Sequence, residues 1–382
     1  MRITEYHPKK KILRIATISD ALYQQLPGQL RYLNQYYEVV GVANDTGSFE
    51  QLEAREGIRT IHVPMVRQIS LWQDLKSLYA LYRVFKQEKP DIVHANTPKA
   101  SLLSMVAAWL ARVPHRIYLV TGLRFETTKG LFRWVLKTME RITCWCATKV
   151  IPEGEGVKQT LLRETITTKP MQIIHYGNIN GIDLDYFVRS QSVLAAAEPY
   201  MDKERFTFVF IGRIVGDKGV NELVAAFEQL LKQNPHVRLL LVGSFEEQLD
   251  PIAPETMKAI RANSSIQHVG FQQDVRPFLA ASDVLVLPSY REGFPNVVIQ
   301  AGAMDLPCVV TDINGCNETI IHQKNGLIIP KQDKEALYHA MKTIMTDTQM
   351  RSDMSLCARA MIASRYRQED VWEALLTMYN QL

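Results

Sequence analysis

A carboxylate and two cations stand at two strand-to-helix turns of this chain. The carboxylate is Glu292, in Glu292-Gly293-Phe294-Pro295-Asn296, which follows an apolar run from Asp283 to Ser289 and precedes a helical pattern from Val297 to Met304. The cations are Arg213 and Lys218, between Gly212 and Gly219, in the turn that joins the apolar run Phe206 to Ile211 to a helical pattern from Val220. Such turns lie at the carboxyl edge of a parallel sheet and present backbone N–H groups and the positive end of a helix, where anions bind. Gly212 lets the backbone approach a ligand, Arg213 and Lys218 neutralise it, and Glu292 can accept hydrogen bonds from sugar hydroxyls. Gly293 gives the loop freedom, and Pro295 at a first helical position leaves the N–H groups of Asn296 and Val297 to face a phosphate. A diphosphate carrying a sugar fits this set. Each turn alone also has a plainer reading, as solvated cations or as a glutamate that complements a helix dipole; the two at one sheet edge favour the ligand. The first turn is no Walker loop, since no Lys-Ser/Thr follows its second glycine, and no Gly-x-Gly-x-x-Gly follows Ile18 to support dinucleotide binding.

Two sets of alternating strands and helices must position these turns. In the first half, strands are expected at Ile12–Ile18, Glu38–Ala43, Arg59–Val63, Asp91–His94, Arg116–Val120, Val150–Ile151 and Gln172–His175. Helices are expected at Leu71–Lys86, Pro98–Ala111, Leu131–Ala147 and Gly154–Arg163. A second set starts at Phe206, with strands at Arg238–Val242, Ile266–Val269, Val284–Leu287, Cys308–Val310 and Leu327–Ile329. The alternation predicts an α/β protein with two doubly wound parallel sheets. The expected domains are 1–185 and 206–365, joined by a linker at 186–205, with a last helix at about 366–382 packing back on the first domain. Two such domains in tandem leave a cleft between their carboxyl edges.

Composition narrows the class. The chain has 382 residues, 47% of them hydrophobic, enough for two full cores. No apolar run approaches the roughly 20 residues of a membrane span. The stretch His7-Pro8-Lys9-Lys10-Lys11 with Ile12 to Ile18 is read as the lead-in to a first strand rather than as a signal peptide. Five cysteines without a paired ligand pattern are read as reduced thiols of a cytosolic protein. Residues 1–185 hold 25 Lys and Arg against 17 Asp and Glu, whereas residues 186–382 hold 19 against 23. A basic first half fits an anionic partner such as a membrane surface, lipid phosphate or nucleic acid, or simply a solvated surface. Within it, Arg133, Lys137 and Arg141 share one helix face beside Trp134 and Trp145. That ridge either meets an anionic lipid surface or stands in water while Phe132, Val135, Met139 and Ile142 pack in the core.

Gly-Arg-x-x-x-x-Lys-Gly followed by Leu-Pro-Ser-x-x-Glu-Gly-Phe-Pro resembles the retaining GT-B glycosyltransferases of family 4, and the order of elements matches over nearly the whole chain. Leu287 to Pro295, Thr311 to Glu318, His94 to Ala100 and Gly122-Leu123-Arg124-Phe125 are similar to the subgroup that builds bacterial capsule, O-antigen and lipid-linked glycans. The resemblance implies a GT-B fold, two Rossmann-like domains facing a central cleft. It implies a hexose or N-acetylhexosamine donor, a UDP-sugar, held by the second domain, and a growing undecaprenyl-diphosphate-linked glycan on the first. By position, Arg213 and Lys218 hold the diphosphate, Glu292 contacts the donor sugar, and Phe294 to Val297 line sugar and phosphates with backbone groups. Two positions depart from the family pattern. Gln300 stands where a second Glu commonly binds the ribose, and Thr121 stands where a His precedes the glycine Gly122 of the acceptor-domain loop. Asp183-Leu184-Asp185 is read as a turn, so neither a required metal nor a cofactor is expected, and no nucleic-acid partner. Front-face displacement is the expected route to retention. The expected location is the cytoplasm, peripheral on the inner face of the cytoplasmic membrane. A nucleotide-sugar epimerase on the same fold, and a non-enzymatic basic lipid- or nucleic-acid-binding protein, remain as alternatives.

Overall fold

The computed structural model describes residues 9–66, 68–246 and 250–382; His7 and Pro8 lie outside the described residues. The chain divides into two compact units, one of residues up to Gly181 together with Glu369–Leu382, the other of Ile182–Gln368. The first unit runs β1 (Lys11–Ile18), α1 (Ser19–Gln25), α2 (Gln29–Asn34), β2 (Glu38–Asn44), α3 (Phe49–Glu56), β3 (Arg59–His62), α4 (Leu71–Glu88), β4 (Ile92–Ala95), α5 (Pro98–Ala111), β5 (His115–Val120), α6 (Gly130–Cys146), β6 (Lys149–Pro152) and α7 (Glu155–Arg163). The second runs α8 (Gln191–Ala197), β7 (Phe206–Ile211), α9 (Val220–Gln233), β8 (Val237–Val242), α10 (Pro254–Ala262), β9 (Ile266–Gly270), α11 (Arg276–Ala280), β10 (Val284–Leu287), α12 (Asn296–Ala303), β11 (Cys308–Thr311), α13 (Cys316–Thr319), β12 (Gly326–Ile329), α14 (Lys334–Thr346) and α15 (Thr348–Tyr366). The chain then returns to the first unit as α16 (Gln368–Asn380).

Each unit holds a six-stranded parallel sheet, in the orders β3-β2-β1-β4-β5-β6 and β12-β11-β10-β7-β8-β9. The two orders are the same pattern counted from each unit's first strand. A sheet covered by helices on both faces needs strands that are apolar on both sides. Accordingly β8 and β10 are buried along their whole length. In both sheets the order reverses beside the first strand, and the crevice outside the carboxyl ends at that point is where doubly wound sheets bind ligands. In the second unit the reversal lies between β7 and β10, the two strands that feed the turns of Lys218 and Glu292.

Three features differ from expectation. Gln172–His175 forms no strand; only Met171 bridges to Val150. Pro170 and the left-handed backbone of His175 leave too few residues to extend a ladder. Residues 186–205 are part of the second unit and contain α8, whose preceding Arg189 donates to the carbonyls of Met304 (3.1 Å) and Ala280 (3.2 Å). The short helices α1, α2 and α3, of 7, 6 and 8 residues, were not expected, because α1 and α2 are too short to show an apolar period and α3 is mostly polar.

Candidate functional site

The loops after β7 and β10 are clamped together by two crossed ion pairs. Lys218 bonds to Glu292, and Arg291 Nη2 lies 2.7 Å from Asp217 Oδ2. On each loop the two paired residues are sequence neighbours, so Asp217-Lys218 on one loop meets Arg291-Glu292 on the other. The Tyr290 N–H donates to the Asp217 carbonyl (2.8 Å), and the Tyr290 hydroxyl donates to Glu222 (2.6 Å). The side chains of Lys218 and Glu292 are 18% and 15% exposed, so the pair is half-withdrawn from water yet reachable by a ligand. Arg213 is not part of this pair. It bonds to Glu246 and is 51% exposed. Gly212 is tied down by its N–H, which donates to the Val242 carbonyl at 2.9 Å.

Two glycines make the close approach possible. Gly219 has φ of 71°, and a Cβ there would stand 2.0 Å from the Pro288 carbonyl oxygen, on the other loop. Gly315, at φ of 74°, would place a Cβ 2.6 Å from the Gly293 carbonyl and 2.7 Å from Pro295. Any side chain at either position would push the loops apart. Pro295 occupies the N-cap of α12 rather than its first helical position, with its carbonyl accepting from Val298 N–H at 3.1 Å. The Phe294 ring is buried against Tyr366, Ile299 and Ile362, so its side chain serves packing and only its backbone faces the loop. Asn296 begins α12, Val297 follows half-buried, and Gln300 lies one turn beyond Asn296 on the same face. The Gln300 side chain is half-buried and has no hydrogen-bond partner among the described residues.

Unmet hydrogen bonding gathers here. Asp217 Oδ1, Glu222 Oε2, Ser289 Oγ and Arg291 Nε are buried without partners among the described residues. Buried polar atoms are rarely left so, and a cluster of them marks room for water or a polar ligand. Burial and the Glu292 charge push the Cys316 thiol well up, so it stays neutral beside the pair. Burial, then the Glu222 bond, raises the Tyr290 phenol likewise. Sequence reasoning missed Asp217, Glu222 and Arg291. The signal was present in the opposed dipeptides Asp-Lys and Arg-Glu, whose signs match when the loops meet.

Thr121 and Gly122 lie in the first unit, after β5. The Thr121 hydroxyl donates to the Asn96 carbonyl (2.9 Å), tying this loop to the one after β4. Beneath them Arg14 is wholly buried, bonded to Gln29 Oε1 (2.7 Å) and Asn96 Oδ1 (3.2 Å). His94 Nδ1 and the Tyr379 hydroxyl of α16 are bonded at 2.5 Å, and burial with the Arg14 charge keeps the imidazole neutral. Asp183 accepts from the N–H groups of Asp185 (3.0 Å) and Tyr186 (2.9 Å), as a turn-former does.

The basic ridge of α6 requires correction. Arg133 and Lys137 both pair with Glu164, at 2.8 and 2.9 Å, and Arg141 donates to the backbone carbonyls of Glu164 and Thr165. These cations fasten α6 to the end of α7. The apolar residues are the ones turned outward: Leu131, Phe132, Trp134, Ile142 and Trp145 are all exposed. Leu71, Trp72, Leu75 and Tyr79 are exposed on α4, and Trp109 on α5, where it touches Trp145 with ring centroids 5.1 Å apart. Four of the five tryptophans therefore lie in this helical layer, 44% to 74% exposed. Lys76, Arg83 and Lys86 of α4 are exposed and have no ion-pair partner among the described residues. Among those residues no helix is long and apolar enough to cross a membrane.

Two parallel sheets of identical order, with charged loops at the switch point of the second, define the GT-B class. The chain matches the families described as "Glycosyl transferase 4-like domain" over residues 30–177 and "Glycosyl transferases group 1" over 205–347. It is 30% identical to the capsular polysaccharide biosynthesis glycosyltransferase CapM of Staphylococcus aureus, over 97% of each chain. It is 29% identical, over 87% of this chain and 86% of the other, to the UDP-Gal:alpha-D-GlcNAc-diphosphoundecaprenol alpha-1,3-galactosyltransferase of Escherichia coli. Among solved structures, Anabaena Alr3699/HepE in complex with UDP and glucose superposes with a TM-score of 0.82, at 20% identity, over 98% of this chain and all of that one. The chain belongs to the family 4 GT-B glycosyltransferases, in the group of bacterial capsular-polysaccharide and lipid-linked-glycan enzymes. Membership as a glycosyltransferase sets aside the epimerase and the non-enzymatic binding protein.

Proposed function

We propose that this glycosyltransferase moves a hexose or N-acetylhexosamine from a UDP-sugar, with retention, to a growing glycan on undecaprenyl diphosphate. The observation that carries the reading is the Lys218–Glu292 pair at the switch point of the second sheet. It brings a cation for the departing diphosphate beside a carboxylate for the sugar hydroxyls. The Escherichia coli relative is by name a UDP-Gal transferase that acts on a diphosphoundecaprenol-linked sugar. The structural neighbour holds UDP.

In this mechanism Lys218, aided by Arg213 and the start of α12 at Asn296 and Val297, stabilises charge growing on the leaving diphosphate. Charge stabilisation of that kind is a large catalytic term. Glu292 and the Gly293-Phe294-Pro295 backbone orient the sugar, and Gln300 meets the ribose hydroxyls. Gly212 lets the chain approach the phosphates. Thr121 and Gly122 contribute from the acceptor-binding unit. The bond from the anomeric carbon to the diphosphate oxygen breaks with its electron pair leaving on UDP. The acceptor hydroxyl oxygen bonds to the same face, and its proton passes to the departing phosphate oxygen. Residues 1–185 bind the acceptor and 206–365 the donor. The protein works peripherally at the inner face of the cytoplasmic membrane, a location supported by the exposed tryptophans and the unpaired cations of α4.

The test is incubation with UDP-hexoses, with and without a lipid-diphosphate acceptor, followed by NMR of the product anomer. Transfer with an α-linked product from an α-donor is expected. An inverted linkage overturns retention, and transfer only to water-soluble acceptors overturns the lipid-linked reading.

A further inference from the structure

Between α4, α5 and α6 lies a cleft with about 610 Å³ of empty space, part of it continuous with solvent. The lining is mostly apolar: Ile69, Leu102, Leu103, Phe125, Leu136 and Met139. Most polar groups in it are paired or hydrogen-bonded. Asp74 is paired with Lys99 at 2.6 Å. The Glu140 carboxyl is bonded to the Tyr118 hydroxyl at 2.6 Å, and burial pushes it up to about 7. Arg124 is different. It lines the cleft, is exposed, and has no hydrogen-bond or ion-pair partner among the described residues. It follows Thr121 and Gly122 in the loop after β5.

From this arrangement we infer that the cleft receives the first isoprenoid units of the acceptor lipid, with Arg124 facing its diphosphate. The inference rests on the lipid-linked acceptor proposed above. An apolar trough with one unpaired guanidinium selects a ligand of opposite design, a hydrocarbon chain that ends in an anion. A soluble sugar would leave the trough's apolar surface in water, and a free phosphate would use only Arg124. The surroundings supply the route. Leu71, Trp72 and Leu75 stand within a turn of Asp74 on α4, and Leu131 and Trp134 stand within two turns of Leu136 and Met139 on α6. Both walls of the cleft thus continue into exposed apolar surface of the kind that enters the headgroup layer. A chain leaving the bilayer there would pass from lipid to trough without crossing water. The Asp74–Lys99 pair places no net charge in its way, and the Glu140 carboxyl is held by the Tyr118 hydroxyl.

The probe is farnesyl diphosphate, with farnesol and inorganic diphosphate as its two halves. Binding is followed by tryptophan fluorescence on the full chain, with UDP present throughout to occupy the donor loops. Farnesyl diphosphate is expected to bind better than either half. Leu102→Trp and Met139→Trp, which fill the trough, are expected to weaken it by about tenfold or more, the scale of a lost apolar contact of this size. Arg124→Gln is expected to weaken farnesyl diphosphate by about tenfold and leave farnesol unchanged. The milder Leu102→Phe, and an unchanged unfolding temperature for each variant, guard against misfolding. Wild-type affinity in both Trp variants overturns the cleft as the site, because adsorption to the exposed face would survive filling. Equal binding of farnesol and farnesyl diphosphate overturns the role of Arg124. The two levels separate in the transferase assay. If wild type uses a lipid-linked acceptor and Met139→Trp keeps the same acceptor KM, the cleft fails alone. If wild type uses only soluble acceptors, the lipid-linked reading itself fails.

Discussion

Lys218 and Arg213 are cations of one turn, but their surroundings differ. Lys218 is enclosed by the second loop through Glu292, whereas Arg213 reaches outward to Glu246 with half its surface in water. A charge acts more strongly where water is excluded, so the two should not contribute equally. Lys218→Ala is expected to lower kcat by about 10²-fold or more, the scale for losing one preorganised charge stabiliser. Arg213→Ala is expected to cost less than about tenfold, as a screened surface charge does. Steady-state kinetics of both variants with one UDP-sugar checks this, and equal losses would return Arg213 to an equal share of the clamp. The sequence showed the cations and the carboxylate, because glycines and charges cluster at a strand end. It did not show which cation would meet Glu292, since that depends on Gly219 packing so close to the other loop that a Cβ there would stand 2.0 Å from the Pro288 carbonyl oxygen. Contacts set by two loops folding on each other are written in neither loop alone.

At the scale of elements, α6 shows where periodicity runs out. The spacing of Arg133, Lys137 and Arg141 puts them on one face, and so they are. Which face turns to the core depends on partners elsewhere, and Glu164 at the end of α7 claims the cations. What faces outward is apolar, so vesicle binding is expected to depend on hydrophobic insertion. Replacing Leu71 and Trp72 together by Ser is expected to reduce co-sedimentation with vesicles more than tenfold, since each inserted side chain contributes about 1.5–3 kcal/mol. Replacing Arg133, Lys137 and Arg141 by Gln is expected instead to lower stability, because Glu164 loses its partners. Unchanged sedimentation of the Leu71/Trp72 variant would remove the apolar layer from the membrane argument. The Glu140 carboxyl on the same helix adds a pH dependence. Its pKa is raised from the usual 4.5 to about 7 by burial. Between those values the folded chain holds a proton that the unfolded chain has lost. Stability from this group is therefore greatest below about 4.5 and declines as pH rises to about 7. The decline amounts to up to about 3 kcal/mol, at about 1.4 kcal/mol per pKa unit. Urea unfolding at pH 5 and pH 8 should show a larger loss for wild type than for Glu140→Gln. Equal losses would mean that solvent in the cleft already hydrates the carboxylate. The long helices and buried strands were legible because their apolar runs are long; α1 and α2 were not, being too short to show a period, and α3 was not, being mostly polar.

At the scale of the whole molecule, the chain closes the first unit with its own last helix. Leu375, Leu376, Met378 and Tyr379 of α16 are buried in one cluster with Ile12 of β1 and Ile92 of β4. The Tyr379 hydroxyl bonds to His94 and reaches Arg14 at 3.4 Å, so it joins the buried polar group of the first unit. Removing it leaves a buried cation and a neutral imidazole each short of a partner, which costs about 1–3 kcal/mol. All five tryptophans, Trp72, Trp109, Trp134, Trp145 and Trp372, belong to this unit, so intrinsic fluorescence reports its unfolding alone. Tyr379→Phe is expected to lower the urea midpoint of the fluorescence transition. It is expected to leave UDP affinity unchanged, because the proposed donor loops lie in Ile182–Gln368. Deletion of 369–382 extends the experiment. It uncovers the apolar cluster and is expected to abolish the fluorescence transition. UDP at 100 times its Kd is still expected to stabilise the remaining unit by about 2.7 kcal/mol, read by thermal unfolding followed by circular dichroism. If UDP protection disappeared together with the fluorescence transition, donor binding would depend on the first unit as well, and the assignment of the donor to the second unit alone would fall.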